Sequence, residues 1–594
     1  MRIVLASMPW AIFNRPSIQM GALKSYLQTS IDDGVVQSRH IFLEVAQKIG
    51  LTNYRIISEN SWAGEALYSA LLFPEQRTQA GKLFKQELQG QCSVEFEDLL
   101  VLLDEQLQTW IDRENFDDCA LLGFTVCFSQ LPSTLFACRK IKEHWPDLPI
   151  ALGGSTCTPS LGRSLLDVFP ELDFIITGEG ERPLAGLIRF LAGSAPFPGN
   201  NVLGWNAGKQ PLTGISTPAD EEIQDLNTLP IPDYDDYFNE LKASRLSFIP
   251  ELPLEFSRGC WWNKCTFCNL NLQWCGYRYK KHDRMLKEQQ FLQQRYQCLD
   301  FTFTDNALPL READRFFQDT AKNDSDLRFF GEIRALRKPA TYELYQKGGL
   351  RSVQVGIEAL SNSLLKRMRK GVSVMDNVTA MKFAAASGMV LDGNLILEFP
   401  GATEDEVLET LEVLDFVLPF RPLQAAAFFL GHGSPVCNQP KKYAIKAVTQ
   451  HANNRKLYPK TILDRLDLLI KSYRGDRQHQ AGIWQPVREK IHAWHTFHEK
   501  RTSSLPPLSY RDGSDFLIIR QELPGLQTLH HRLRGLSRKI YLSCEEPVAK
   551  KELLQNFKQI KMDQFLSFLS DLEQKKLLFT DTDSCLALAV RQNS

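Results

Sequence analysis

The stretch "RGCWWNKCTFCN", residues 258–269, sets Cys260, Cys265 and Cys268 in one short loop with aromatics between them. The chain holds 13 cysteines in 594 residues, scattered apart from the group between 260 and 275. That usage points to a reducing compartment and to a metal or redox role for the cluster, and against a disulfide framework. A structural zinc site takes four Cys or His ligands, usually as two knuckles. Here there is one CxxC and a single Cys five residues upstream, although Cys275 or His282 could complete a set. A zinc-stabilised, non-catalytic binding protein therefore stays as one reading. The other is an iron–sulfur cluster, which thiolates hold. Three thiolates on a four-iron cluster leave one iron without a protein ligand. An open iron can chelate a small molecule through amino and carboxylate groups.

Outward from this loop the sequence alternates apolar strands with helices. "LEFSRG", "LDFTFTD", "RFFGEIRA", "SVQVGIEA", "VLDGNLILEF" and "LQAAAFFL" read as strands, with segments such as "SLLKRMRK" and "DNVTAMKFAAASG" as helices between them. Six strand–helix units predict a partial (β/α)6 barrel over 249–435. Barrels place their chemistry on the loops after the strands, and the cysteine loop follows the first strand. Polar residues stand at later strand ends: Asp305 and Asn306 in "TDNAL", Glu332 and Arg334 on one face of "FFGEIRA", Glu358 in "GIEALS". Ion pairs at a barrel rim would explain each of them as readily as a ligand would.

The first 215 residues carry a second α/β rhythm. "MRIVLAS" reads as a buried strand, "RPSIQMGALKSYLQTS" as a loop and helix, and 38–115 as helical. "CALLGFTV", "PIALGGS" and "LDFIITGEGE" follow as strands, separated by helices. This predicts a Rossmann-like domain with a helical insertion. Its turns "LGGS" (152–155) and "TGEGERP" (177–183) follow strands, where small residues admit a large ligand. Residues 216–248, rich in Pro, Asp and Asn, read as a linker. Beyond 436 the rhythm is lost. Residues 440–510 look helical and basic, and the tail reads as helix, turn and strand pair, so 436–594 is expected as a mostly helical α+β domain that binds substrate or caps the barrel.

The formal net charge is −1, with 43% hydrophobic and 23% charged residues. Bulk electrostatics do not steer such a chain to nucleic acid or anionic lipid. No run of 18 uncharged apolar residues exists, so no membrane span is predicted. The opening "MRIVLASMPW" is too brief a run, without a convincing cleavage site, for a signal peptide, and a cytoplasmic location is expected.

Cys260, Cys265 and Cys268, with Phe267 before the last, resemble the cluster loop of radical S-adenosylmethionine (SAM) enzymes. The spacing here is CxxxxCxxC where CxxxCxxC is usual. The two glycine turns ahead of the barrel look like the cobalamin-binding domain of cobalamin-dependent radical SAM enzymes, without the DxHxxG signature or a histidine to ligate cobalt. The ordered pieces "MPW…RPSIQMGALKSYL", "GGS…LDFIITGEGE", "RGCWW…CTFC", "TDNAL", "VQVGIEALS…LLKRMRKGV", "NLILEFPG" and "LALAV" resemble the ribosomal-peptide (RiPP) maturation radical SAM protein 1 family. Two departures stand out: a shorter gap between the first two cysteines, and "FPGAT" where "PGET" is commoner. The resemblance implies a [4Fe-4S] cluster, SAM and cobalamin, and C-methylation of an unactivated carbon in a precursor peptide. Epimerisation, cyclisation or a small-molecule substrate would fit the same architecture. It further implies Phe267 near adenine, and Asp305, Glu332, Arg334, Glu358 and Asn394 around SAM. Around cobalamin it implies Thr125 and Ser129, then Gly153, Gly154 and Ser155, then Gly178, Glu179 and Gly180. An electron donor such as flavodoxin or ferredoxin would serve the cluster. Removing hydrogen from such a carbon is beyond any side-chain base, so no catalytic side chain is assigned.

Overall fold

The apolar opening segment becomes an inner strand of a parallel sheet. In the computed structural model, which describes residues 1–592 apart from 32–33, 200, 206–210, 213–221, 324 and 336–337, β1 (Arg2–Ser7) lies between β2 (Val35–His40) and β3 (Cys119–Thr125). β4 (Ile150–Gly153), β5 (Phe174–Ile176) and β6 (Val202–Gly204) continue the sheet, and only β6 runs antiparallel to its neighbour. β1 is buried over five consecutive residues, as a strand covered by helices on both faces must be. The order β2-β1-β3-β4-β5 reverses direction between β1 and β3, and open α/β sheets bind ligands at that switch, outside the strands' carboxyl ends. β2 was not expected. Its sequence "VVQSRH" falls partly in the segment read as helical, and as an edge strand it buries only alternate residues. The helical insertion proper runs from Ile41 to Glu114.

The second sheet curls as a partial barrel. β7 (Leu252–Leu254) is followed by a short ribbon, β8 (Ser257–Arg258) paired antiparallel with β9 (Arg278–Tyr279). β10 (Asp300–Phe303), β11 (Arg328–Ile333), β12 (Leu350–Val355) and β13 (Val390–Asp392) complete the parallel order β7-β10-β11-β12-β13. β14 (Asn394–Leu397) pairs parallel with β15 (Gln424–Ala427), and a bridge from Glu358 to Leu395 carries the curve between the two groups. Six parallel staves result, as the alternation predicts. The first differs in detail: the segment expected as one strand, "LEFSRG", is split, with Leu254 ending the barrel strand and Ser257–Arg258 leaving it to clasp the cysteine loop. Phenylalanines cement the helix–strand interface; the Phe303 and Phe329 centroids lie 5.6 Å apart and Phe316 meets both edge-on.

The expected linker begins in residues 216–221, which lie outside the described residues. From 222 to 248 the chain is anchored: a helix spans Asp235–Ala243, and Tyr234 and Tyr237 are fully buried. Beyond the barrel, β16 (Leu430–Gly431), β17 (Ile445–Gln450) and β18 (Ile470–Gly475) form an antiparallel sheet. β19 (Leu508–Asp512), β20 (Phe516–Gln521) and β21 (Leu529–Arg534) form a meander. β22 (Val548–Ala549), β24 (Ser584–Ala587) and β23 (Leu578–Thr580) pair in that order, and β25 (Val590–Arg591) joins β19. The tail is the helix (Met562–Gln574), turn and strand pair expected. Residues 440–510 are not uniformly helical: β17, β18 and the start of β19 interrupt them, and the longest helix there is Gln485–Lys500. Trp484 and Trp494 share one core with the barrel, whereas Leu457, Tyr458 and Leu463 pack into the N-terminal helices. Among the described residues no helix is long and apolar enough to cross a membrane.

Candidate functional site

The cysteine loop is a closed excursion from the barrel's first strand. At its base Gly259 has φ +82°, and a Cβ there would lie 2.7 Å from the Gly276 carbonyl oxygen, so glycine is what lets the ribbon close. At its far side the Thr266 amide donates to the Met368 carbonyl (2.9 Å) and the Trp262 indole to the Arg369 carbonyl (2.8 Å). Arg334 stacks its guanidinium on Trp262 at 4.7 Å and on Trp261 at 5.3 Å, and donates to the Lys370 carbonyl. All three thiols are half-buried. Burial, and then the neighbouring thiols, push Cys268 up to about 11; burial also raises Cys265, against the pull of Lys370 and Arg334. Thiols so placed lose their protons to a metal. The three thiols influence one another: Cys260 raises Cys265, and Cys265 and Cys260 raise Cys268. A structural zinc takes four protein ligands, whereas a four-iron cube can be held by three thiolates, one to a corner. Three half-buried thiols in one another's field, with two cations beside them to offset negative charge, fit the larger group.

Of the polar residues expected around SAM, three gather. Glu358 stands at the end of β12 with φ +63°, an uncommon conformation for a residue with a side chain, held by its amide to the Asn394 carbonyl (3.0 Å) and by the Ile396 amide to its carbonyl (2.8 Å). Its carboxylate takes Lys370 Nζ at 2.9 Å. Glu332 lies close by, and burial followed by the charge of Glu358 raises it to about 7, with Lys370 opposing. Phe267 joins them from the cysteine loop, with Lys370 Nζ 5.9 Å from its ring centre. Asn394 begins β14 with an exposed side chain, tied to Glu358 through its backbone. Asp305 and Arg334 are placed differently. Asp305 is buried and accepts from the Phe256 amide (3.0 Å) and the Ser257 hydroxyl (2.5 Å), so it pins the chain ahead of the cysteines. Burial raises its carboxyl to about 7. Arg334 is spent on the tryptophans.

A cavity of about 370 Å³ separates the carboxyl edge of the N-terminal sheet from the barrel mouth. Thr125, Gly153, Gly154, Ser155, Gly178 and Gly180 line one wall, and Ser257, Gly259 and Asn306 the other. Gly154 has φ +108°, and its Cβ would meet the Val126 carbonyl at 2.8 Å. Two buried polar atoms in this lining, Thr125 Oγ1 and Asn306 Nδ2, have no hydrogen-bond partner, one on each wall. Orphaned atoms of this kind call for an external partner. Ser129 is the exception among the expected cobalamin residues. It has φ +66° and faces a separate cavity of about 40 Å³ beside Cys127 and Thr156. Glu179 lines the main cavity, but its carboxylate is occupied by Arg258 at 2.9 Å and Arg278 at 2.6 Å.

Residues 254–414 match the model of the radical SAM superfamily. The chain carries a radical SAM domain. Such a domain implies SAM and a [4Fe-4S] cluster. An uncharacterized methyltransferase of Pyrococcus horikoshii is 27% identical over 309 residues, a match that covers half of this chain and 64% of that relative's length. The cobalamin-dependent radical enzyme OxsB, solved with aqua-cobalamin and SAM bound, superposes with a TM-score of 0.57 at 15% identity, over 85% of this chain and 69% of that one. The radical SAM methyltransferase TsrM of Kitasatospora setae, solved with cobalamin and a [4Fe-4S] cluster, gives 0.55 at 12% identity, over 83% and 90%. The fold likeness therefore extends well beyond the radical SAM domain, into the N-terminal sheet.

Several residues around the radical SAM domain escape a sequence reading. Arg258, the residue before the "GC" of the loop, pairs with Glu179, with Glu181 at 2.6 Å and with Glu255 at 2.9 Å. Arg278, at the loop's other end, reaches Glu179 and Glu222. Lys370 lies within the conspicuous run "RMRKG", yet only the fold brings it to Glu358 and Phe267.

Proposed function

We propose that this chain is a cobalamin-dependent radical SAM C-methyltransferase acting on an unactivated carbon of a ribosomally made precursor peptide. The observation that carries the reading is the shared cavity, walled on one side by the glycine turns of a 2-1-3-4-5 sheet and on the other by the base of a three-cysteine loop. When bound, the cluster with SAM supplies a hydrogen-abstracting radical and cobalamin a transferable methyl group. The chain's own residues bind, orient and shield. Cys260, Cys265 and Cys268 would hold the cluster, and Lys370 and Arg334 offset its charge. Phe267, Glu332, Glu358 and Asn394 would surround SAM. Thr125, the 153–155 turn and Gly178–Gly180 would take cobalamin, with Asn306 facing them from the barrel. Ion pairing of Glu179 and Glu181 with Arg258 ties the turn after β5 to the start of the cysteine loop.

The peptide substrate rests on the ordered motifs shared with the RiPP maturation family. The test is anaerobic reconstitution with iron, sulfide and cobalamin, followed by turnover with methyl-labelled SAM and a precursor peptide. Label in a carbon-bound methyl group of the peptide supports the proposal. Label only in a small molecule would move the substrate assignment, and unlabelled product would move the reaction to epimerisation or cyclisation.

A further inference from the structure

The cysteine loop is enclosed on two sides and open on a third. Gly259 and Asn269 at its ends line the cavity between the two sheets, and Phe267 meets Lys370, the partner of Glu358. Between the first two cysteines, Trp261, Asn263 and Lys264 are exposed. A cleft of about 680 Å³ runs along this side. Trp262 and Lys264 of the loop line it, with Lys366 and Arg369 from the end of the helix Asn362–Arg367 and the turn that follows, and Glu546 and Asp581 of the C-terminal domain. The Trp262 indole donates to the Arg369 carbonyl, so loop and turn form one surface.

Lys264, Lys366 and Arg369 are exposed, and none of them has a carboxylate at ion-pair distance among the described residues. Their neighbours Arg367 and Lys370 are paired, with Glu406 and Glu358. Lys264 holds its ammonium 5.0 Å from the ring centre of Trp262. The carboxylates of the cleft do not cancel this charge. Asp376 caps its own helix through Ser373, and Asp581 accepts from the amides of Asp583 and Ser584, which leaves Glu546. An excess of cations therefore gathers beside the thiol loop, in a chain whose net charge is −1.

A cluster that splits SAM must first gain an electron, and on the reading above its other sides are given over to SAM and cobalamin. The open side, with its indoles, is the short route in. Electron-transfer partners meet over small, transient faces and are steered by charge. A cationic rim around an exposed indole suits a donor whose own rim is acidic. We infer that Trp261, Lys264, Lys366 and Arg369 form the docking face for an acidic, low-potential electron-transfer protein. This rests on the cluster reading above. The donor gives up one electron, which takes the oxidised cluster to its reduced state, and no bond is made or broken.

The anaerobically reconstituted full chain, without SAM, cobalamin or peptide, is mixed by stopped flow with flavodoxin in its hydroquinone form, and appearance of the flavin semiquinone is followed. The expected second-order rate falls at least tenfold from low to high salt, and at least tenfold at low salt in the K366E/R369E double variant. Iron content and the extent of reduction by dithionite should be the same in both proteins. The R532E/R534E variant, altered on β21 of the C-terminal domain, should accept electrons as the wild type does. A rate indifferent to salt, an unchanged rate in K366E/R369E, or an equal loss in R532E/R534E would overturn the proposal. So would a dimer in sedimentation that K366E/R369E dissolves while flavodoxin still reduces the cluster at the wild-type rate, since the face would then belong to a second copy of the chain. Salt dependence is read on the wild type, so that arm stands whether or not the variant folds. Failure of the chain to take up iron would defeat the cluster reading itself. A cluster that dithionite reduces, and that flavodoxin reaches without regard to this face, would defeat the docking face alone.

Discussion

Arg258 of the barrel donates from Nη2 to Glu181 Oε1, at the start of the N-terminal domain's Glu181–Leu191 helix, at 2.6 Å, and both side chains are buried. The same guanidinium holds Glu179 and Glu255. One residue thus joins the turn after β5, the end of the first barrel strand and the start of the cysteine loop. Buried ion pairs of this kind do little for net stability when intact, but breaking one strands an uncompensated charge.

Replacement of Arg258 by Ala is therefore expected to cost on the order of 3–5 kcal/mol in denaturant unfolding. Arg258→Lys should recover only part of this, because a point charge cannot serve three carboxylates as a planar fork does. Equilibrium urea unfolding of the three proteins checks the order wild type, Lys, Ala.

Asp305 carries a pH signature. Its carboxyl rises from about 3.9 in the unfolded chain to about 7 in the fold, because burial outweighs the donors on Phe256 and Ser257. A raised value means that the folded state binds the proton more tightly. The associated stability is whole below about pH 4, declines as pH rises, and is gone above about 7. The change is on the order of 2–4 kcal/mol. Asp305→Asn should flatten this part of the stability–pH curve, measured by urea midpoints between the two limits. An unchanged slope would show that Asp305 is ionised throughout.

At Gly154 a side chain meets both a strained φ and the Val126 backbone. Gly154→Ala should cost roughly 1–3 kcal/mol of stability and weaken cobalamin binding by at least tenfold, followed by absorbance titration. Gly193→Ala serves as control: it also has positive φ, yet its Cβ would meet nothing within 4 Å, and it lies outside the cavity.

The barrel and the sheet were legible because both depend on local pattern: buried strands alternating with helices. The three-cysteine loop stands out because its thiols lie close together in sequence. What was missed depends on distance in sequence. Arg258 and Glu181 are far apart along the chain, and nothing local marks them as partners. Asp305 stands at a strand end as a ligand would, but its oxygens are consumed by residues 256 and 257. Ser129 is near the right turn, and its left-handed backbone aims it at a different cavity. β2, β17 and β18 carry polar residues without the alternation of a strand, so tertiary pairing, more than propensity, makes them strands.

On the proposed function, Cys260, Cys265 and Cys268 would hold a [4Fe-4S] cluster with one open iron. The direct measurement is electron paramagnetic resonance of the anaerobically reconstituted, reduced protein, with and without SAM, beside Cys265→Ala. Expected are about four irons per chain, a reduced-cluster signal that changes on adding SAM, and loss of that signal in Cys265→Ala. A full signal in Cys265→Ala, or one indifferent to SAM, would contradict it.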